Sequence, residues 1–457
     1  MEHIKNFLCL IQIFIVLNSG NVTAQKVWKL EDCIQYAFDN NLVIKQQVIN
    51  TEYNSNILQQ SKINLAPDLN AGSAYGFSWG RALDQTTYEF TEDQRIMSLN
   101  MNLNTSMTLF SGFQQLNTVK QNEFNLLASL QDLERFKNDI ALAIAAAFLQ
   151  ILFNTELVGI AESQLEITQL QVNRTQKLVE AGSLARGALL EIQAQAASEE
   201  LNVINAKNQL DISYLNLTQL LDLDSVGDFT IEIPEFGDIA AKEILLSVNS
   251  VYNEALTVMP QIKSYEYQLA SSEKGLAIAK GARMPSVNLS NSLSTGYSDI
   301  RERFNPAIGE FEPYPFPDQI QDNRSTNLSL SLRIPIFNGW MVNTNISNAR
   351  LGVMNSRLLL ETERNNLYKD IQQAHADAVA AQKKYLATQQ ALTSMEESFM
   401  YTEQKFEVGL VNTVDYNAEK NRLTRTQSDL LQAKYDYIFK MKILQFYRGI
   451  PLTLDEL

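Results

Sequence analysis

Side chains able to carry out chemistry are scarce in this chain, and their spacing assembles no reaction centre. Among 457 residues there are only two histidines and two cysteines. His3 lies in the N-terminal leader described below, and His375 stands alone on a long helical run, where packing or solvation is its ordinary role. Neither has the neighbours that a zinc site or a general base requires. Cys9 also falls in the leader, which leaves Cys33 without a partner for an intramolecular disulfide. Gly275 to Gly281 lacks the Lys-Ser/Thr that completes a phosphate loop. Asp and Glu outnumber Lys and Arg by 52 to 37, a net charge of −15, and an acidic chain does not suit nucleic acid. Most of these acids read as solvated helix faces. The carboxylate with the most pointed placement is Asp415. Asn412, three residues earlier, can cap a helix, and a carboxylate in the first turn gains about 0.3–1 kcal/mol against the helix dipole. No enzyme, cofactor or metal follows from such an inventory.

The elements that hold these residues are more informative. No long apolar span dominates the composition. Met1 to Ala24 carries Lys5, an apolar run from Phe7 to Leu17, and Val22-Thr23-Ala24, the pattern of a secretory signal cleaved before Gln25. Glu2 and Lys5 leave together, so the mature charge stays at −15. Asn327 to Trp340 alternates Leu328, Leu330, Leu332, Ile334 and Ile336 with Asn327, Ser329, Ser331 and Arg333. A period of two puts one set on each face of a strand, and its length approaches the roughly 9–11 residues that cross a bilayer on a tilt. Pro335 ends the ladder, and Phe337 and Trp340 suit the membrane–water boundary.

Three more segments behave alike. Leu30 to Leu65 has helical spacing and stops at Pro67, and the strand through Tyr75, Phe77 and Trp79 follows. After a polar loop from Gly80 to Met97, Leu99, Met101, Leu103, Thr105, Met107 and Leu109 alternate with Asn100, Asn102, Asn104, Ser106 and Thr108, a face with no charge. Val287, Leu289, Leu293 and Tyr297 alternate with Ser286, Asn288, Ser290, Ser292 and Ser294. Between the strand pairs runs a helix from Phe113 towards Gly182, roughly 100 Å at the α-helical rise. Ile144, Ile151, Val158, Leu165, Val172 and Val179 recur every seven residues, a coiled-coil seam. Gly182-Ser183 reverses the chain, with Ser183 as the expected cap of a return helix through Leu217, and Thr230 to Ile233 reads as a short edge strand before Pro234. The programme then repeats. Pro67 and Pro285 stand 218 apart, whereas Phe110 and Phe337, Gly112 and Gly339, and Gly182 and Gly409 stand 227 apart. The difference falls in the second interstrand loop, Ser298 to Thr326.

Four amphipathic strands cannot close a barrel, and open edges in lipid leave backbone groups unpaired at several kcal/mol each. The expected solution is a barrel shared among copies, with a water-filled lumen and long helices leaving one side. These features resemble the TolC-like outer membrane efflux proteins over nearly the whole mature chain. Leu-Phe-Ser-Gly at 109–112, Pro-Ile-Phe-Asn-Gly at 335–339 and Phe406-Glu407-Val408-Gly409-Leu410 carry the resemblance. It implies a mixed α and β membrane protein: a homotrimer with four strands per chain in one outer-membrane barrel, continued by a periplasmic α-helical coiled-coil tunnel. It implies a signal peptide at 1–24 and repeats at 25–228 and 229–457. It implies service as an exit duct in tripartite efflux or type I secretion, with outer-membrane lipid, a periplasmic adaptor and an inner-membrane pump as partners.

By the same resemblance Val179, Gly182, Ser183, Leu184, Phe406, Val408, Gly409 and Leu410 form adaptor-contacting tips, and Asp415 lies at the tunnel constriction. Phe110, Gly112, Phe337, Gly339 and Trp340 form the strand-to-helix junctions. Val411 stands where some relatives have arginine, and Ala418 and Ala188 where acids can sit. The competing class, a soluble or peripheral coiled-coil scaffold of the cell envelope, accounts for the helices but not for four strands with one lipid-like face each.

Overall fold

The computed structural model describes residues 27–81, 83, 88–90, 92–223, 229–234 and 247–454. The leader at 1–24 and most of the linker expected from Ser225 to Asp238 lie outside the described residues. The first half comprises β1 (Val27–Trp28), α1 (Leu30–Asn40), α2 (Leu42–Ile63), β2 (Asn70–Gly80), β3 (Gln94–Ser111), α3 (Gln114–Glu180) and α4 (Arg186–Leu220). After β4 (Thr230–Ile231) come α5 (Val248–Val258), α6 (Pro260–Gly281), β5 (Ser286–Ser298), β6 (Glu302–Asn305), β7 (Glu310–Pro313), α7 (Phe316–Asp322), β8 (Ser325–Arg333), α8 (Met341–Glu407) and α9 (Thr413–Tyr447). The fold is mostly helical with sheets. Helices of 11, 22, 67 and 35 residues occur in that order in the first half and again in the second.

The chain divides into two compact units. One holds Met1–Val48, Asp132–Gln261 and Glu363–Leu457. Its core gathers Cys33 and Ala37 of α1, Ile144, Phe148, Ile151 and Leu152 of α3, Leu217 of α4 and Ile438 of α9. Burying each large aliphatic or aromatic group contributes about 1.5–3 kcal/mol. α3 is long and apolar enough to cross a membrane by length and composition, but its Ile144, Phe148, Ile151 and Leu152 lie in this core. β1 and β4 pair in parallel through Val27–Thr230 and Trp28–Ile231, so the expected short strand has a partner from the chain's start.

The single helix expected from Leu30 to Leu65 is two helices. Asn41 breaks it: its Oδ1 accepts from the amides of Val43 at 2.9 Å and Ile44 at 3.3 Å, while its Nδ2 donates to the Leu220 carbonyl at 2.9 Å. In the second half Pro260, which lacks an N–H, opens α6 and imposes the corresponding break after Met259.

The other unit holds Ile49–Gln131 and Ile262–Thr362. Its antiparallel sheet has the order β2-β3-β5-β8. The register places like with like: Leu103 opposes Leu293 and Leu289 opposes Leu330, whereas Asn102 opposes Ser294 and Asn288 opposes Ser331. The expected faces therefore line up across all four strands. A bulge between Thr108 and Phe110 puts Phe110, rather than Leu109, opposite Val287 on the apolar face. Two strand limits differ from expectation. β3 starts at Gln94, which shortens the loop before it, and β8 ends at Arg333, so Ile334 and Ile336 lie beyond the ladder.

The Ser298 to Thr326 loop holds secondary structure of its own. β6 pairs with β7, and the Phe304 and Phe311 rings meet edge-on at 5.4 Å. Arg303 bridges Glu312 at 2.9 Å and Asp318 at 2.7 Å. Gln319 of α7 is fully buried. Its amide accepts from the Ser298 N–H at 3.0 Å and donates to the Ser298 carbonyl at 2.9 Å, taking the place of a neighbouring strand where β8 has run out.

Candidate functional site

Each long helix pair reverses through the same backbone device. At the first tip Ser183 N–H donates to the Leu178 carbonyl at 2.8 Å and Gly182 N–H to Val179 at 2.9 Å; at the second, Leu410 donates to Lys405 at 2.9 Å and Gly409 to Phe406 at 3.1 Å. These are paired Schellman closures, which need a left-handed residue just past the helix end. Gly182 and Gly409 supply it with φ of +77° and +78°. Ser183 is thus a helix-ending residue and not the cap expected of it. Ala185 occupies the N-cap of α4 without a side-chain hydrogen bond.

The tips leave large apolar groups in solvent: Leu184 is 43% exposed, Val408 71% and Leu410 77%. Both tips border one cleft of about 630 Å³, lined by Leu178, Leu184, Phe406, Leu410, Arg174 and Tyr416. Gly409 also lines it, while Val179, Gly182, Ser183 and Val408 do not. Arg174 reaches Glu407 across it at 3.7 Å. Tyr416 is fully buried, stacks on Phe406 at 4.4 Å between ring centres, and takes a hydrogen bond from Gln171. Burial pushes its phenol pKa up from the ordinary tyrosine value.

Asp415 is exposed in the first turn of α9. Its amide donates to Asn412 Oδ1 at 2.9 Å, and Asn412 Nδ2 donates to its carboxylate at 3.0 Å. Asn412 is therefore the cap, as its position implied, and Asp415 locks the cap in return.

Farther from the tips lies a group that residue-by-residue reading missed. Lys420 of α9 and Glu199 of α4 are 2% and 3% exposed, with Nζ and Oε1 3.7 Å apart. Thr168 of α3 accepts from Lys420 and donates to Glu199. Lys420 also donates to the Gln164 carbonyl at 3.3 Å, and Gln195 donates to Glu199 at 3.0 Å. Burial lowers the Lys420 pKa, and the Glu199 carboxylate opposes that shift. The ammonium and carboxylate are thus hydrogen-bonded as well as paired, the condition under which buried charges are tolerated.

At the strand-to-helix junctions, two successive left-handed residues turn the chain: Gly112 (φ +63°) with Phe113 (+62°), and Gly339 (+61°) with Trp340 (+67°). A Cβ at Gly112 would overlap the Gly281 carbonyl, so glycine answers both conformation and close approach. Phe110 packs edge-on against Phe113 at 5.3 Å. Phe337 and Trp340 are 83% and 68% exposed.

Among the described residues no cluster of His, Cys, Asp and Glu could hold a metal ion. The sequence matches the family model for outer membrane efflux proteins at residues 33–222 and 251–445. Outer membrane protein TolC of Salmonella enteritidis is 20% identical over 450 residues, spanning 98% of this chain and 87% of its own length. Cation efflux system protein CusC of Escherichia coli (strain K12) is 22% identical over 365 residues, 76% of this chain and 71% of that protein. A crystal structure of CusC shares the fold with a TM-score of 0.78 at 17% identity, covering 93% of this chain and 92% of the other.

Proposed function

Because this chain belongs to the outer membrane efflux protein family, we propose that it works as the exit duct of a tripartite efflux or type I secretion system. Its place is the outer membrane. Three copies close a barrel of four strands each, continued by a periplasmic helical tunnel, and the repeats at 25–228 and 229–457 contribute equivalent parts. The observation that carries this reading is the sheet. Leu328, Leu330 and Leu332 are 71%, 66% and 62% exposed on one face, the opposite face is hydroxyl and amide, and β2 and β8 end the strand order. Lipid on one face, water on the other and neighbouring copies at the edges satisfy all three surfaces. The family is one of channels rather than of enzymes.

Asp415 gives this reading its electrical test. Three copies would ring the narrow end of the tunnel, with Val411 leaving no arginine to offset them, and a ring of carboxylates concentrates cations. Single-channel recordings should show cation-selective currents blocked by multivalent cations. Asp415→Asn should weaken both selectivity and block, with trimer stability reduced by at most about 1 kcal/mol from the lost dipole interaction. Lower thermal stability with unchanged selectivity would leave Asp415 as cap partner to Asn412 alone.

The tips are the natural contact for a periplasmic adaptor, since exposed apolar groups in a cluster mark interaction sites. Nothing lies within 4 Å of a Cβ added at Gly182 or Gly409, so bulk there projects outward, at a backbone cost of about 1–2 kcal/mol for a side chain at positive φ. Gly182→Trp and Gly409→Trp should leave trimers assembled yet abolish export and adaptor recovery in a pull-down. Normal adaptor recovery and export by both variants would reduce these glycines to helix terminators.

A further inference from the structure

Within the four strands the inward face assigned to the sheet carries one charged side chain, and the Asp68 carboxylate, just before β2, borders it beside Ser106. In register on that face are Asn70, Gly72, Ala74, Gly76 and Ser78 of β2; Asn100, Asn102, Asn104, Ser106 and Thr108 of β3; and Ser286, Asn288, Ser290, Ser292 and Ser294 of β5. β8 adds Ser325, Asn327, Ser329, Ser331 and then Arg333, which pairs in register with Ser286 at the end of the sheet from which α3 and α8 leave.

Arg333 is exposed, and its guanidinium has no ion-pair partner among the described residues. Two other charged groups at this end are hydrogen-bonded. Arg283 donates to Asn343. The Asp68 carboxylate accepts from the Ser106 amide at 2.5 Å and hydroxyl at 2.9 Å. A guanidinium offers five donors in a planar fork suited to carboxylate and phosphate, and a wall backed by low-dielectric strands and lipid focuses its field into the lumen.

Resting on the proposed barrel, we infer that Arg333 forms a three-fold cationic ring at the helix-side end of the barrel lumen, a transient binding site for anionic groups on cargo. Beyond it the wall is amide and hydroxyl, and the Asp68 carboxylate beside Ser106 repels anions, so an anionic group is held at the ring and released along the rest of the barrel. This site is separate from Asp415, which belongs to the other unit of the chain.

The purified channel in a planar bilayer, with inorganic pyrophosphate added on the barrel side, tests this. Pyrophosphate should reduce current through the native channel. Arg333→Gln should raise the half-blocking concentration about tenfold and shift the reversal potential further towards cations, whereas Arg333→Lys should retain most of the block. Ser331→Cys with a charged, membrane-impermeant thiol reagent serves as the control for the wall, Cys33 being buried. Modification at 331 that lowers conductance, together with unchanged block and reversal potential in Arg333→Gln, overturns the ring alone. No effect of modification at 331 overturns the lumen assignment and the ring with it.

Discussion

Lys420→Met is expected to destabilise the helical unit by about 3–5 kcal/mol, because it leaves the Glu199 carboxylate buried without its cation. Thr168 and Gln195 still donate to Glu199, but two neutral donors replace neither the lost charge nor the lost solvent. The mirror substitution Glu199→Leu strands the ammonium, which has only Thr168 and the Gln164 carbonyl left. The double variant Lys420→Met with Glu199→Leu removes both charges and fills the space with apolar atoms. It should recover most of the loss, since replacing a buried pair by packed hydrophobic groups is often neutral or stabilising by about 1–4 kcal/mol. Thermal unfolding of the detergent-solubilised protein, followed by its helical circular dichroism, gives the comparison. Equal losses in the single and double variants would mean that the site depends on shape and not on charge. What the pair contributes natively is then specificity of helix register, joining α3, α4 and α9 in one arrangement.

The sheet gives the second large effect. Leu330→Arg places a guanidinium on the face in register with Leu289, and at the bilayer midplane this costs about 2–4 kcal/mol. Ser331→Arg, one residue along and facing the other way, should assemble normally and change conductance. Heat-modifiable migration of the trimer and bilayer conductance separate the two outcomes. Equal assembly defects in both variants would contradict the assignment of faces, since a period of two leaves no other way for adjacent residues to differ.

How legible the chain is depends on the scale of the signal. Alternation over about ten residues and heptads over about thirty-five are redundant, so the four sheet strands, the long helices and the reversals at Gly182 and Gly409 are found as the sequence implies, with shifted limits at β3 and β8. Single-residue devices are less legible. Asn41 breaks a helix through a side chain that reaches Leu220, a contact 179 residues away, and no local pattern announces it. Gln319 likewise acts as a stand-in strand only because β8 begins at Ser325, opposite Ser294, and does not reach Ser298. The Lys420–Glu199 pair had a signal that went unread. Ile192, Glu199, Ala206 and Ser213 recur every seven residues and are all buried, so an acid interrupts an inward stripe. The helical spacing through Leu190, Ile192, Ala196, Val203, Leu210 and Leu217 passes Glu199 by. Tyr416 packs against Phe399 and Phe406, two aromatics a heptad apart on α8. The tip cleft brings Leu184, Gly409 and Leu410 together, a juxtaposition set by packing of helices far apart in sequence.

The central claim is that this chain is one third of a membrane duct, and the mass of the detergent-extracted mature protein tests it most directly. The account predicts an N-terminus at Gln25, recovery with outer membranes, and a particle of three chains after subtraction of bound detergent. A water-soluble monomer in the periplasmic fraction would contradict it, because one four-stranded sheet with two open edges and an exposed leucine face can neither close a lumen nor remain stably in lipid alone.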